Sequence, residues 1–351
     1  MSSKTEADRG VAVVGMGCRF PAARSVDEYW RLLREGRHGV SEVAALDPWD
    51  RERAAGLRHA ALLGEIAGFD AAFFRISPRE AEGMDPQQRL LMEVSWHALE
   101  DAGIVPSRLS GTDAGVYVGI SGSGYALRSA ALPGRPDATR LTGALCSIAA
   151  NRLSYFFGVH GPSLAVDTAC SSSLVAIHLA CEGLERGDAD LALAGGVSLI
   201  LDSFVSRTLA QAGVLSAEGR CKTFDEGADG YVRGEGAAML VLRPLAAARA
   251  DGDRIYAVIR GGAVNQDGPS NGLTAPNRVA QERVIARAWE RAGVEPSRAD
   301  YVEAHGTGTL LGDPIEARAL ANTVGRGRAG GACRVGASKT NLGHLEAAAG
   351  A

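Results

Sequence analysis

Lysine is nearly missing from this chain: of 37 basic residues, only Lys4, Lys222 and Lys339 are lysine. Codon bias can produce such scarcity, yet it makes a lysine inside a motif stand out. Excess positive charge is missing too. The formal net charge of -4 leaves no basic footprint and excludes nucleic acid as the expected partner. None of the six cysteines (Cys18, Cys146, Cys170, Cys181, Cys221 and Cys333) forms a CxxC pair, so no zinc or other metal site is expected. They lie scattered among apolar residues, as reduced thiols of a cytoplasmic protein do. No run approaches the ~20 apolar residues of a membrane span. The most apolar stretch, Leu191 to Leu201, is far too short and contains Gly195 and Gly196. Met1 to Gly10 is short and polar and lacks the apolar core of a signal peptide.

What is present is a soluble, globular composition, 46% hydrophobic and 22% charged, in 351 residues, enough for a large core and two domains. The chain is organised around Val166-Asp167-Thr168-Ala169-Cys170-Ser171-Ser172-Ser173-Leu174. Ser163 to Val166 reads as a strand. Leu174, Ile177, Cys181 and Leu184 recur at helical spacing behind it. Cys170 therefore sits where a strand turns into a helix, with the positive end of the helix favouring a thiolate. The geometry is that of a nucleophile elbow with cysteine in place of serine. Taken alone, a cysteine is more often a small core residue.

Elsewhere strands and helices alternate, which argues for a layered α/β protein. Val11 to Gly15 reads as a buried strand. Gly15-Met16-Gly17 after it lacks the third glycine and the helix of a dinucleotide site, and reads as a tight turn. Ser25-Val26-Asp27-Glu28 is a capping box opening a helix to Gly36. Residues 37–68 are irregular. Asp85-Pro86 opens a helix that stops at Gly103, with His97 a structural histidine beside its apolar stripe. The loop Ser121-Gly122-Ser123-Gly124 lacks a phosphate-binding lysine, and Leu141 to Phe157 reads as one helix. The long Gly- and charge-rich loop 213–236 has the character of a functional loop. Two further segments place His305 and His344 at strand ends, the first in Glu303-Ala304-His305-Gly306-Thr307-Gly308-Thr309, the second in Lys339-Thr340-Asn341-Leu342-Gly343-His344. One cysteine and two histidines can thus converge on one pocket.

The stretches MDPQQRLLMEV (Met84 to Val94), VDTACSSSLVAIHLAC (Val166 to Cys181), AVNQDGPSNGLTAPN (Ala263 to Asn277), VEAHGTGTLLGDPIEA (Val302 to Ala317) and KTNLGHLEAAAG (Lys339 to Gly350) resemble a β-ketoacyl synthase domain of the thiolase superfamily. The resemblance is to type I modular polyketide synthases and spans nearly the whole chain. It implies a five-layer αβαβα fold of two pseudo-equivalent halves and a dimer. On this reading a polar tail, 1–10, precedes an N-terminal half, 11–253, that carries the nucleophile. A C-terminal half, 254–351, carries the histidine pair and stops before its end. The resemblance makes Cys170 the acyl acceptor and His305 with His344 the pair that supports decarboxylation. Lys339 and Glu346 become their electrostatic neighbours, and Thr307 and Thr309 line the channel for a phosphopantetheine arm. No cofactor is bound in such a domain; the arm arrives on an acyl carrier protein, and an acyltransferase domain is the expected neighbour.

Two departures follow from the same comparison. The run Leu345 to Ala351 looks helical and is cut short before a glycine-rich loop that the family carries, so the fragment alone is expected to aggregate and not to condense. Met1 to Gly10 is too short for a docking coiled coil. Three other functions compete: a non-elongating gatekeeper or scaffold domain, a fatty-acid-type 3-oxoacyl synthase, and a Cys–His hydrolase. The last needs a carboxylate on one histidine, for which Asp313 and Glu316 are the candidates.

Overall fold

The structure, a computed structural model, describes residues 9–122, 124–131, 138–328 and 331–351. Most of the expected polar tail, and Ser123 of the glycine-rich loop, lie outside them. The strands in chain order are β1 (Val11–Arg19), β2 (Ser41–Glu42), β3 (His59–Ala60), β4 (Gly115–Ile120) and β5 (Ser163–Val166). They continue with β6 (Ala192–Ser198), β7 (Gly236–Pro244), β8 (Ala257–Ile259), β9 (Tyr301–Glu303) and β10 (Arg334–Gly336). Six of them form one mixed sheet in the order β5-β4-β6-β7-β1-β8. The pairs β4–β5 and β4–β6 are parallel, and the rest of that sheet is antiparallel. β9 and β10 form a separate parallel pair, and β2 with β3 a small antiparallel one.

Alternate residues of each central strand feed different cores, as a two-sided sheet requires. Ala12, Val14, Val116, Val118, Leu193 and Met239 pack on one face with Leu91, Val94 and Ala98 of helix Pro86–Asp101. Val11, Val13, Tyr117, Ala192 and Ala194 pack on the other with Ile177, Cys181 and Leu184 of helix Ser172–Arg186. Both faces of the sheet are therefore covered by helices, and the layered α/β class read from the sequence is the one observed, with a mixed sheet. β8 closes one edge of this sheet by pairing with β1.

Several local readings are corrected. Gly15 and Gly17 are not a turn but interior residues of β1, where a Cβ would collide with the carbonyls of Ala98 and Val94. They are glycine so that helix Pro86–Asp101 can lie directly on the strand. His97, expected as a structural histidine beside the stripe, is exposed on that helix. The expected helix Leu141 to Phe157 is two, Ala138–Ala144 and Cys146–Phe157, with Leu145 extended between them. The run after His344 is not a continuous α-helix but a single 3-10 turn, Glu346–Ala348, entered by Glu346 at φ +49°. The irregular segment 37–68 is tied down by Arg53, which is fully buried and bonds Asp50, the Ile200 carbonyl and Glu235.

Candidate active site

β5 ends at Val166, and the chain reaches Cys170 in a tight turn, Ala169–Ser171, before helix Ser172–Arg186 begins. Ala169 has φ +54°, the strained geometry of a nucleophile elbow. Small polar groups hold the turn. Ser172 Oγ accepts from the Thr168 N–H (2.9 Å) and donates to the Ala169 carbonyl (2.6 Å). Asp167 Oδ1 accepts from Ser121 Oγ (2.8 Å) and from the Ala169 N–H (3.1 Å). The helix start rests on bare backbone: a Cβ on Gly119 would collide with the Ser173 nitrogen, and one on Gly196 would lie 2.7 Å from the Ser173 Cβ. Cys170 is thus presented, exposed, at the edge of the sheet.

β9 delivers His305 two residues beyond its end, on a loop with Gly306 and Gly308 at positive φ. The Glu316 carboxylate accepts from the N–H groups of His305 (2.7 Å) and Gly306 (2.9 Å). Asp313 accepts from Phe224, Gly308 and Thr309 N–H groups. Both carboxylates hold backbone rather than an imidazole. His344 does not follow a strand directly, as expected, but a short helix, Lys339–Leu342, and Gly343 at φ +70°. Its backbone is stitched to the loop 213–236: its N–H donates to the Val232 carbonyl (2.7 Å), and its carbonyl accepts from the Gly234 N–H (2.9 Å).

The three side chains come together. A cavity of about 880 Å³ is lined by Cys170, His305 and Lys339. His344 is buried behind His305, the two rings 5.4 Å apart between centroids and nearly perpendicular at 85°. The Tyr231 ring also packs edge-on against His344, at 5.4 Å. Thr307 and Thr309 do not line this cavity. Their hydroxyls lie 3.3 Å apart inside the His305 loop, where Thr309 Oγ1 also accepts from the Gly312 N–H at the start of the next helix. The structure therefore shows them shaping the loop and gives no support for the channel assignment.

Both imidazoles resist protonation. Burial lowers the pKa of His344 well below its ordinary value, with Lys339, His305 and Arg233 adding to the effect. His305 opens onto the cavity, but the protein around its ring and then the Lys339 charge lower its pKa to about 4. Lys339, itself buried, is pulled down by desolvation against the partial support of Glu303. The thiol of Cys170 departs from expectation: the surrounding protein, then Glu346, push its pKa up, against Lys339 and a backbone hydrogen bond. Glu346 meets the histidine pair through its backbone. Its carboxylate is bound to Arg233, and its backbone N–H donates to His344 Nδ1 at 3.2 Å. Sequence reasoning missed Arg233 and Tyr231, although the charge-rich loop 213–236 pointed towards both. It weighed Glu316 as a hydrolase carboxylate and, more simply, as a support of the helix after the glycine-rich loop; the carboxylate instead holds the His305 loop itself.

A mixed sheet covered by helices, with a cysteine elbow facing a lysine and two imidazoles, defines a thiolase-like protein. The chain belongs to the β-ketoacyl synthase family: the family's N-terminal domain model matches residues 8–248, and its C-terminal domain model matches residues 256–351. Among solved structures, it is similar to an oxazolomycin ketosynthase domain of Streptomyces albus. Identity is 42% and the TM-score 0.89, covering 97% of this chain and 60% of that one. The ketosynthase from module 6 of the bacillaene synthase of Bacillus subtilis gives 40% identity and a TM-score of 0.87, covering 97% and 59%. A phenolphthiocerol/phthiocerol polyketide synthase of Mycobacterium tuberculosis is 53% identical over 99% of this chain, which spans 19% of that relative's length. Polyketide synthase GfsA of Streptomyces halstedii is 50% identical over 99% of this chain and 5% of its own length. The chain thus spans only part of the length of these polyketide synthases and ketosynthase structures. No helix among the described residues is long and apolar enough to cross a membrane.

Proposed function

We propose that this domain forms a carbon–carbon bond by decarboxylative condensation. Cys170 accepts an acyl group from a thioester, releasing the donor thiol. A malonyl-type thioester then loses CO2, and its enolate carbon attacks the acyl-Cys170 carbonyl, returning the thiolate and leaving a β-ketoacyl thioester. One observation carries this reading above the rest. His344 Nε2 is buried without a hydrogen-bond partner among the described residues, while its Nδ1 accepts from the Glu346 N–H. The proton of the neutral ring therefore belongs on Nε2, where it forms an unanswered donor beside the second neutral imidazole. Two such donors suit the oxygen of an enolate, and losing one typically costs ~3 kcal/mol of barrier. Burial first, and then the Lys339 charge, keep both rings neutral, because a buried cation beside another cation is disfavoured.

The chemistry calls for no metal or redox group. Its substrates imply a phosphopantetheine arm on an acyl carrier protein and an acyltransferase domain as neighbour; the family resemblance adds a homodimer in the cytoplasm to the proposal. Within the chain, 11–253 supplies the nucleophile and 254–351 the histidine pair. The polyketide relatives favour this over a fatty-acid-type synthase, and the presence of all three side chains favours elongation over a gatekeeper role. A hydrolase lacks its orienting carboxylate, since Asp313 and Glu316 are engaged by backbone N–H groups. Intact-mass measurement after incubation with an acyl thioester tests the proposal. A persistent acyl adduct on Cys170 supports it; turnover to free acid without an adduct contradicts it.

A further inference from the structure

Arg233 is buried to 4% exposure and holds the Glu346 carboxylate in a two-bond fork, Nε to Oε1 at 2.6 Å and Nη2 to Oε2 at 2.8 Å. Its remaining nitrogen, Nη1, donates to the fully buried Ser206 Oγ at 2.6 Å. The fork matters because Glu346 sits at φ +49°, a left-handed conformation that a residue with a Cβ leaves unless something holds it. In that conformation its N–H reaches His344 Nδ1 at 3.2 Å. The residues on either side of Arg233 also clamp the His344 backbone, through the Val232 carbonyl and the Gly234 N–H.

We propose that Arg233 is a positioning residue for His344: by holding Glu346 in its left-handed turn, it aims the Glu346 N–H at Nδ1 and fixes the imidazole tautomer that carries its proton on Nε2. The opposite tautomer would set an N–H on Nδ1 against the Glu346 N–H and turn Nε2 into an acceptor, useless to an enolate. Without the fork, the partly exposed Glu346 side chain is free to swing to solvent, and the turn relaxes with it. A lysine supplies charge but not the planar fork, so it substitutes poorly. This proposal rests on the reading of His344 Nε2–H as a substrate donor.

Ring 15N NMR of His344, together with decarboxylation of a malonyl thioester, tests it on the chain and its variants. The unsubstituted chain should show the single Nε2–H tautomer. Arg233→Met should show a mixture, with kcat for decarboxylation down about tenfold to a hundredfold, the range seen for partners that orient a functional imidazole at metal sites, and KM little changed. Arg233→Lys should recover only part of that loss. Should Arg233→Met not fold, Glu346→Ala keeps the Arg233–Ser206 bond and should show the same tautomer mixture. A single Nε2–H tautomer with an unchanged rate in whichever of these variants folds overturns the proposal. The functional reading fails separately: His344→Ala would then decarboxylate as fast as the unsubstituted chain, whatever its tautomer.

Discussion

Protonation of His305 is opposed from two sides, by the protein packed around its ring and by Lys339, which together bring its pKa from 6.5 to about 4. The folded protein therefore binds this proton less readily than the unfolded chain. The resulting stability is fully present above pH 6.5 and is lost as pH falls through 4. A ring titration followed by NMR should find the His305 midpoint near 4, and Lys339→Met should move it upward. A midpoint at the ordinary value, or no response to Lys339→Met, contradicts this account of the site's electrostatics. The placement of His305 and Cys170 was legible in the sequence because each sits on a short, chemically plain signal, a glycine-rich loop after a strand and a strand-to-helix turn. The raised pKa of Cys170 was not legible. Helix position alone points downward, whereas the protein packed around the thiol, and then the charge of Glu346 from 176 positions away in the chain, push it up.

Elements read by their local period were found with fair boundaries; those set by distant contacts were not. Gly15 and Gly17 look like a turn until residues 94–98 are laid over them, and the alanine-rich run after His344 looks helical until Arg233 takes hold of Glu346. The segment 37–68 has no period at all, because its anchor is a buried ionic network. Arg53 bonds Asp50 and Glu235, and Glu235 also accepts from the N–H groups of Ile200 (2.7 Å) and Leu63 (3.0 Å). That network joins this segment to β7 through the loop that clamps His344. Glu235→Ala would leave the Arg53 charge poorly paired and two N–H groups orphaned. It should cost about 3–5 kcal/mol in urea unfolding, the range for breaking a buried pair. A loss below about 1 kcal/mol would show that the segment is held mainly by its apolar contacts, since that is the worth of a surface pair.

Across the whole molecule the six free cysteines divide by environment. Cys18, Cys181 and Cys221 are buried, and burial raises their thiols to about 12, 12 and 11. Cys170 is exposed, and Cys146 and Cys333 are half-buried. Brief alkylation of the folded protein should label Cys170 first and leave the three buried thiols until unfolding; early labelling of Cys221 would mean that the loop 213–236 opens. The assembly of the site from both family-matched segments, with the nucleophile on one and the imidazole donors on the other, is the central claim. Its most direct test is to measure the two half-reactions separately. Cys170→Ala should abolish acylation while the chain still decarboxylates a malonyl thioester. His344→Ala should still take an acyl group on Cys170 while decarboxylation falls about a hundredfold or more. Equal loss of both half-reactions in either variant would contradict the division of labour proposed for these two residues.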